Sequence, residues 1–212
     1  MALAPVVVGV ADHSGWAALV SVSVKDGLPA VIDRRRVELI EPGLPKQPYE
    51  HDTVGMNAAE AERLVEEVRD SAAHCAERAL SRLRSSLGTT REILSIALRT
   101  APLPRLPGSV AEVHASWPVT VRADGTLYHD ALCTSAASLG IKVDTFARGE
   151  ERLRAAEAMA TSAERLDRFL SGLRARLGPP WQQDHQAAAA RAIAALGRYI
   201  TLRLDKPALS AF

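Results

Sequence analysis

The 212-residue chain is 47% hydrophobic and carries 26 Lys and Arg against 25 Asp and Glu, for a formal net charge of +1. That length and apolar content suit a globular protein able to bury a sizeable core. The near-neutral balance excludes the broad basic field of a nonspecific nucleic-acid binder, so any nucleic-acid site is expected as a local patch.

Cys75 and Cys133 show neither CxxC nor metal-ligand spacing, which points to two reduced thiols and a cytoplasmic protein. No basic segment followed by an apolar one opens the sequence, and "VVVGVA" is too short to span a bilayer, so no membrane partner is expected.

The branched apolar run from Val6 to Ala11 predicts a buried strand. It ends in Asp12, His13, Ser14 and Gly15, a tight turn, after which "WAALVSVSV" alternates as a half-buried strand does; the two pair as a hairpin. "KDG" supplies a second turn and "LPAVIDRRRVELI" a third strand, completing an antiparallel meander. The Pro-rich "EPGLPKQPYEHD" reads as an irregular exposed connection. Asn57 and Glu60 match a capping box opening a long helix, with Leu64, Val68, Cys75, Ala79 and Leu83 on one face as far as Gly88. "EILSIAL" predicts a fourth strand, followed by the Pro-rich loop "RTAPLPRLPG".

Between 109 and 140 two helical pieces are expected, "SVAEVHAS" and "TLYHDALCTSAASLG", separated by a stretch holding Pro118 and the turn signal Asp124-Gly125. "IKVDTFA" reads as the fifth strand. From Glu150 to Leu177, residues including Leu153, Ala156, Ala160, Ala163, Leu166, Leu170 and Leu173 fall on one stripe, which predicts a single long amphipathic helix. The last helix starts near Pro180 and runs through "DHQAAAARAIAAL". Its Ala-rich face permits close approach to the sheet, or to a second copy of the chain, so a homo-oligomer is an expected partner. Residues 1–212 are read as one domain with a helical C-terminal part of about 150–204.

Three antiparallel strands followed by alternating helix and strand give an α/β protein with a central mixed five-stranded sheet, helices on both faces and long C-terminal helices. This order resembles the ribonuclease H-like superfamily, and within it the Holliday-junction-resolvase (RuvC-like) branch. The features that carry the resemblance are "VVVGVAD", "ILSIALRT", "ASLGIKVDTFA" and "DHQAAAARAIAAL". The resemblance implies acidic residues gathered around Mg²⁺ or Mn²⁺, because in-line phosphoryl transfer uses metal ions to activate water and stabilise the leaving oxygen. Carried over, Asp12 is the ligand on the first strand and Asp184 the ligand on the late helix, with His185 assisting as ligand or general base. The third carboxylate of the pattern should end the fourth strand, where this chain has Arg99 and Thr100. A cation there repels Mg²⁺, and Arg99 is expected to pair with Asp12 instead.

Asp124 is a candidate to complete the site, and His129, Asp130 and Glu60 are weaker ones. Each has a plainer reading: Asp124-Gly125 as a turn, Glu60 as a cap, Asp130 as a solvated helix position. Asp184 also suits the first turn of a helix on dipole grounds alone. Asp12 is either a turn residue or part of a polar cleft. His114 and Trp117 read as a packed pair.

The incomplete acidic set favours a non-catalytic binding or assembly module, with nucleic acid held through a local patch. The alternatives are a divalent-metal-dependent phosphodiesterase and a nucleotide-binding actin-like lobe, the latter requiring a second lobe that 212 residues do not supply.

Overall fold

The computed structural model describes residues 3–200. Five strands form one mixed sheet: β1 (Ala4–His13), β2 (Trp16–Lys25), β3 (Leu28–Glu38), β4 (Arg91–Arg99) and β5 (Lys142–Phe146). Their order is β3-β2-β1-β4-β5. The first three pair antiparallel, whereas β4 runs parallel to β1 and β5 parallel to β4. Asp26 and Gly27 make the tight turn between β2 and β3 with φ of 53° and 77°, the paired positive values of the turn that matches strand twist.

β1 occupies the centre because both of its faces are apolar, as a strand covered on two sides requires. Side chains alternate along a strand. Val6, Val8 and Val10 therefore enter one core, built with α1 (Ala58–Leu87), α2 (Val110–His114) and α3 (Trp117–Ser138). Val7 and Ala11 enter a second, built with α4 (Glu150–Ala158), α5 (Ala163–Leu177) and α6 (Gln183–Leu196). Each fully buried valine stabilises the fold by roughly 1.5–3 kcal/mol.

Gly9 lets α6 ride directly on β1. A Cβ at this position would stand 1.7 Å from the Ala188 carbonyl oxygen. Ala188, Ala189, Ala192 and Ala195 are all fully buried in the second core. The Ala-rich face thus approaches the chain's own sheet closely, as expected of its small residues.

Three local expectations change. The Pro-rich connection contains a single π-helical turn, Pro48–Asp52. The stretch around Asp124-Gly125 is helical, inside a continuous α3. Gly125 suits this place because a Cβ would meet Pro102 Cγ at 3.3 Å. Finally, the long helix from 150 to 177 is broken: Ala160 takes φ of 49°, and the Ser162 hydroxyl caps α5 by accepting the Arg165 amide at 3.3 Å. Leu153, placed on the apolar stripe, is 60% exposed.

Asn57 Oδ1 caps α1 as expected, accepting the Glu60 amide at 3.0 Å. Cys75 and Cys133 are both free. Among the described residues no helix is long and apolar enough to cross a membrane. The end of the expected helical part, 201–204, lies outside the described residues.

Candidate functional site

A cleft of about 480 Å³ opens beyond the C-terminal ends of β1 and β4, where open α/β sheets commonly place their ligands. Asp12, His13 and Ser14 line it from the first hairpin, and Gln47 and Glu50 from the π-helical turn. Arg99, Arg122, Asp124 and Arg148 complete its polar wall. Asp12 and His13 belong to β1 itself, paired with Ala17 and Trp16, so the turn proper is only Ser14-Gly15.

Strand parity separates the two acids carried over from the sequence. Asp12 shares the parity of Val8 and Val10 and lines the cleft with Asp124 of α3. His13 has the opposite parity and reaches α6, where its Nε2 stands 3.2 Å from Asp184 Oδ1. Asp184 is therefore tied to the cleft through His13 and is not among the residues that line it.

Asp124 is 3% exposed, and both carboxylate oxygens are used: Oδ1 accepts the Tyr49 amide at 3.0 Å and Oδ2 the Glu50 amide at 3.1 Å. It clamps the π-helical turn onto α3. Burial pushes its carboxyl up to about 6, while the two amides draw it down. His185 is 8% exposed and its Nδ1 accepts the Gln182 amide at 3.3 Å, which closes the N-terminus of α6. Burial lowers its pKa below the usual histidine value, and Arg34 adds to the effect.

The expected pairing of Asp12 with Arg99 is not seen. Among the described residues no ion pair joins them, although both line the cleft. A different cation stands nearby. Arg191 of α6, 7% exposed, donates from Nη1 to the Val10 carbonyl at 2.7 Å, and its Nη2 is 3.8 Å from Glu151 Oε1. Burial pulls its pKa down, and the carboxylates of Glu151, Asp12 and Asp184 oppose that pull. Arg191 so supplies positive charge behind Asp12.

The weaker candidates have structural work. His129, 6% exposed, contacts the Arg99 carbonyl at 3.0 Å through Nε2 and fastens α3 to the end of β4. Glu60 lies in the capped first turn of α1. His114 Nε2 contacts the Tyr49 carbonyl at 2.8 Å, whereas Trp117 is 67% exposed, so the two do not form a buried pair. Arg122, Arg148, Glu50 and Arg191 were not singled out from the sequence. Arg148 had a usable signal, since it follows the C-terminal end of a parallel strand.

The donor set does not fit a two-metal centre. Asp12 and Asp124 face one cleft, but Asp124 is committed to two amides, Asp184 to His13, and Arg99 stands where the third carboxylate of the pattern belongs. Among the described residues no group of three or more His, Cys, Asp or Glu is arranged to hold a metal ion.

No protein-family model matches the chain, and no curated protein matches it. The chain is similar to the solved structure of Thermus thermophilus RuvC, with a TM-score of 0.51 and 14% identity over 92% of this chain and 95% of that one. The fold is ribonuclease H-like. A second solved structure, T. thermophilus RuvC in complex with Holliday junction substrate, aligns with a TM-score of 0.48 and 14% identity over 92% of this chain and 94% of that one. At the ends of β1 and β4 of this fold, arginines share the cleft with the acids.

Proposed function

We propose that the protein is a ribonuclease H-like binding module for nucleic acid that does not hydrolyse it. The observation that carries this reading is the composition of the cleft: Arg99, Arg122 and Arg148 line it beside Asp12, while Asp124 and Asp184 are already engaged. The charges are layered. Arg122 and Arg148 are exposed, Arg99, Asp12 and Glu50 half-buried, and Asp124 buried. A ligand approaching from solvent thus meets guanidinium groups first, and these suit phosphate oxygens through their forked donors. Such a site is a local patch in a chain of near-zero net charge, which agrees with weak, salt-sensitive binding.

Fluorescence anisotropy with labelled junction, duplex, hybrid and single-stranded probes tests the reading. Binding should fall with salt and be lost in Arg99→Glu, Arg122→Glu and Arg148→Glu. Neutralising three phosphates corresponds to a log–log salt slope of about −2 to −3. None of the probes should be cut with Mg²⁺ or Mn²⁺. Specific cleavage that disappears in both Asp12→Asn and Asp184→Asn overturns the non-catalytic reading in favour of a metal-dependent phosphodiesterase.

A further inference from the structure

The first residue of α3 is an exposed tryptophan beside this cleft. Trp117 is 67% exposed and Val121, one helical turn on, is 40% exposed. Residues four apart on a helix are surface neighbours. Val121 and Arg122 both line the cleft, so the apolar strip that starts at Trp117 runs into the arginine-bearing wall. The other two tryptophans are used internally. Trp16 is covered by the stacked His13 ring at 4.2 Å and by the Arg36 guanidinium at 3.8 Å, and Trp181 is 3% exposed with its indole N–H given to the Leu170 carbonyl. Among the described residues Trp117 has no ring contact or hydrogen bond of its side chain.

Leaving an indole in water one helical turn from an arginine-lined cleft makes sense if a ligand has both a flat apolar face and a phosphate. We infer that Trp117 is a stacking platform for an unpaired base, and that the cleft therefore takes single-stranded nucleic acid with its phosphates on Arg122 and Arg148. Positive groups beside an aromatic platform are the pairing by which single strands are held, because every base offers a π-face whereas the bases of a duplex are hidden in its stack. A second copy of the chain or an apolar peptide is a poorer fit, since the strip is narrow and bordered by charge. The inference rests on the nucleic-acid reading above and narrows its ligand.

The probes are labelled oligothymidylate, oligouridylate and a blunt duplex hairpin, with anisotropy for affinity and intrinsic tryptophan emission for stacking. Either single strand should quench emission in the wild-type protein, and Trp117→Ala should weaken its binding about ten-fold. Trp117→Phe should keep most of the affinity but lose the quench, and the duplex should be indifferent to both variants. If single strands bind Trp117→Ala as tightly as wild type while Arg122→Glu and Arg148→Glu abolish binding, the platform is wrong and the binding module stands. If no nucleic acid binds, both fall. If Trp117→Ala turns a dimer into a monomer in light scattering and leaves binding unchanged, the strip belongs to a second copy.

Discussion

His13 at the end of β1 and Asp184 in the first turn of α6 stand 3.2 Å apart, joining residues separated by most of the chain. His13 also lies flat on Trp16, with ring centroids 4.2 Å apart and planes 9° from parallel. The carboxylate that resembles a late-helix ligand thus steadies the rim of the cleft, and it does so from a position that also favours the helix dipole.

The pair is solvent-exposed, with 40% and 37% of the two side chains accessible, so water and salt screen it. A double-mutant cycle of His13→Ala and Asp184→Ala should give a coupling energy of about 0.2–1 kcal/mol, shrinking in high salt. A coupling of several kcal/mol in thermal or urea unfolding would mark the pair as a main support of the α6 contact instead.

Gly9 is the tightest point between sheet and helix. Gly9→Ala places a methyl 1.7 Å from the Ala188 carbonyl oxygen, against backbone that cannot rotate away. Overpacking of this kind costs about 1–3 kcal/mol, or more where backbone must move. For a chain of this size, each kcal/mol corresponds to about 2–4 °C in Tm. A variant melting like the wild type would show that α6 can lift from β1 without loss.

Arg191 and Glu151 are both 7% exposed, and Arg191 Nε and Glu151 Oε2 lack a hydrogen-bond partner among the described residues. The pair is loosely matched, so its value lies in mutual neutralisation. Arg191→Met alone strands the buried Glu151 carboxylate and should cost about 3–5 kcal/mol. Adding Glu151→Gln removes the stranded charge and should recover much of the loss. Urea unfolding of the two variants reads the difference; equal destabilisation would show that the Val10 carbonyl contact, and not charge, is what Arg191 provides.

The strands and the order of helices were legible because each core strand is written as a valine- or leucine-rich run bounded by turn residues, and parity then places Val8 and Val7 on opposite faces. The site was less legible. Asp124-Gly125 reads locally as a turn, whereas in the fold it lies within a continuous helix, with Pro102 against Gly125 and the amides of Tyr49 and Glu50, 75 and 74 residues away in sequence, on Asp124. The break after Met159 was hidden because the apolar period continues across it, though Ser162 is a legible cap. Arg191 sits within an alanine run, and nothing in that run shows its guanidinium reaching Val10.

Asp124 gives the pH prediction. Burial holds its folded carboxyl at about 6 against an ordinary value of 3.8, so the folded protein takes up this proton more readily than the unfolded chain. Its contribution therefore favours the fold below about pH 4 and is lost as pH rises through about 6. A gap of about two pH units corresponds to roughly 3 kcal/mol. Above about pH 6 the group is ionised, and its two oxygens accept the Tyr49 and Glu50 amides. Asp124→Asn removes the titration and keeps the shape, but turns one acceptor into a donor facing an amide. The stability of the wild type relative to the variant should fall by roughly 3 kcal/mol between about pH 4 and about pH 7. Urea unfolding across that range measures it. A constant difference would show that the Tyr49 and Glu50 amides outweigh burial and keep Asp124 ionised in the fold throughout.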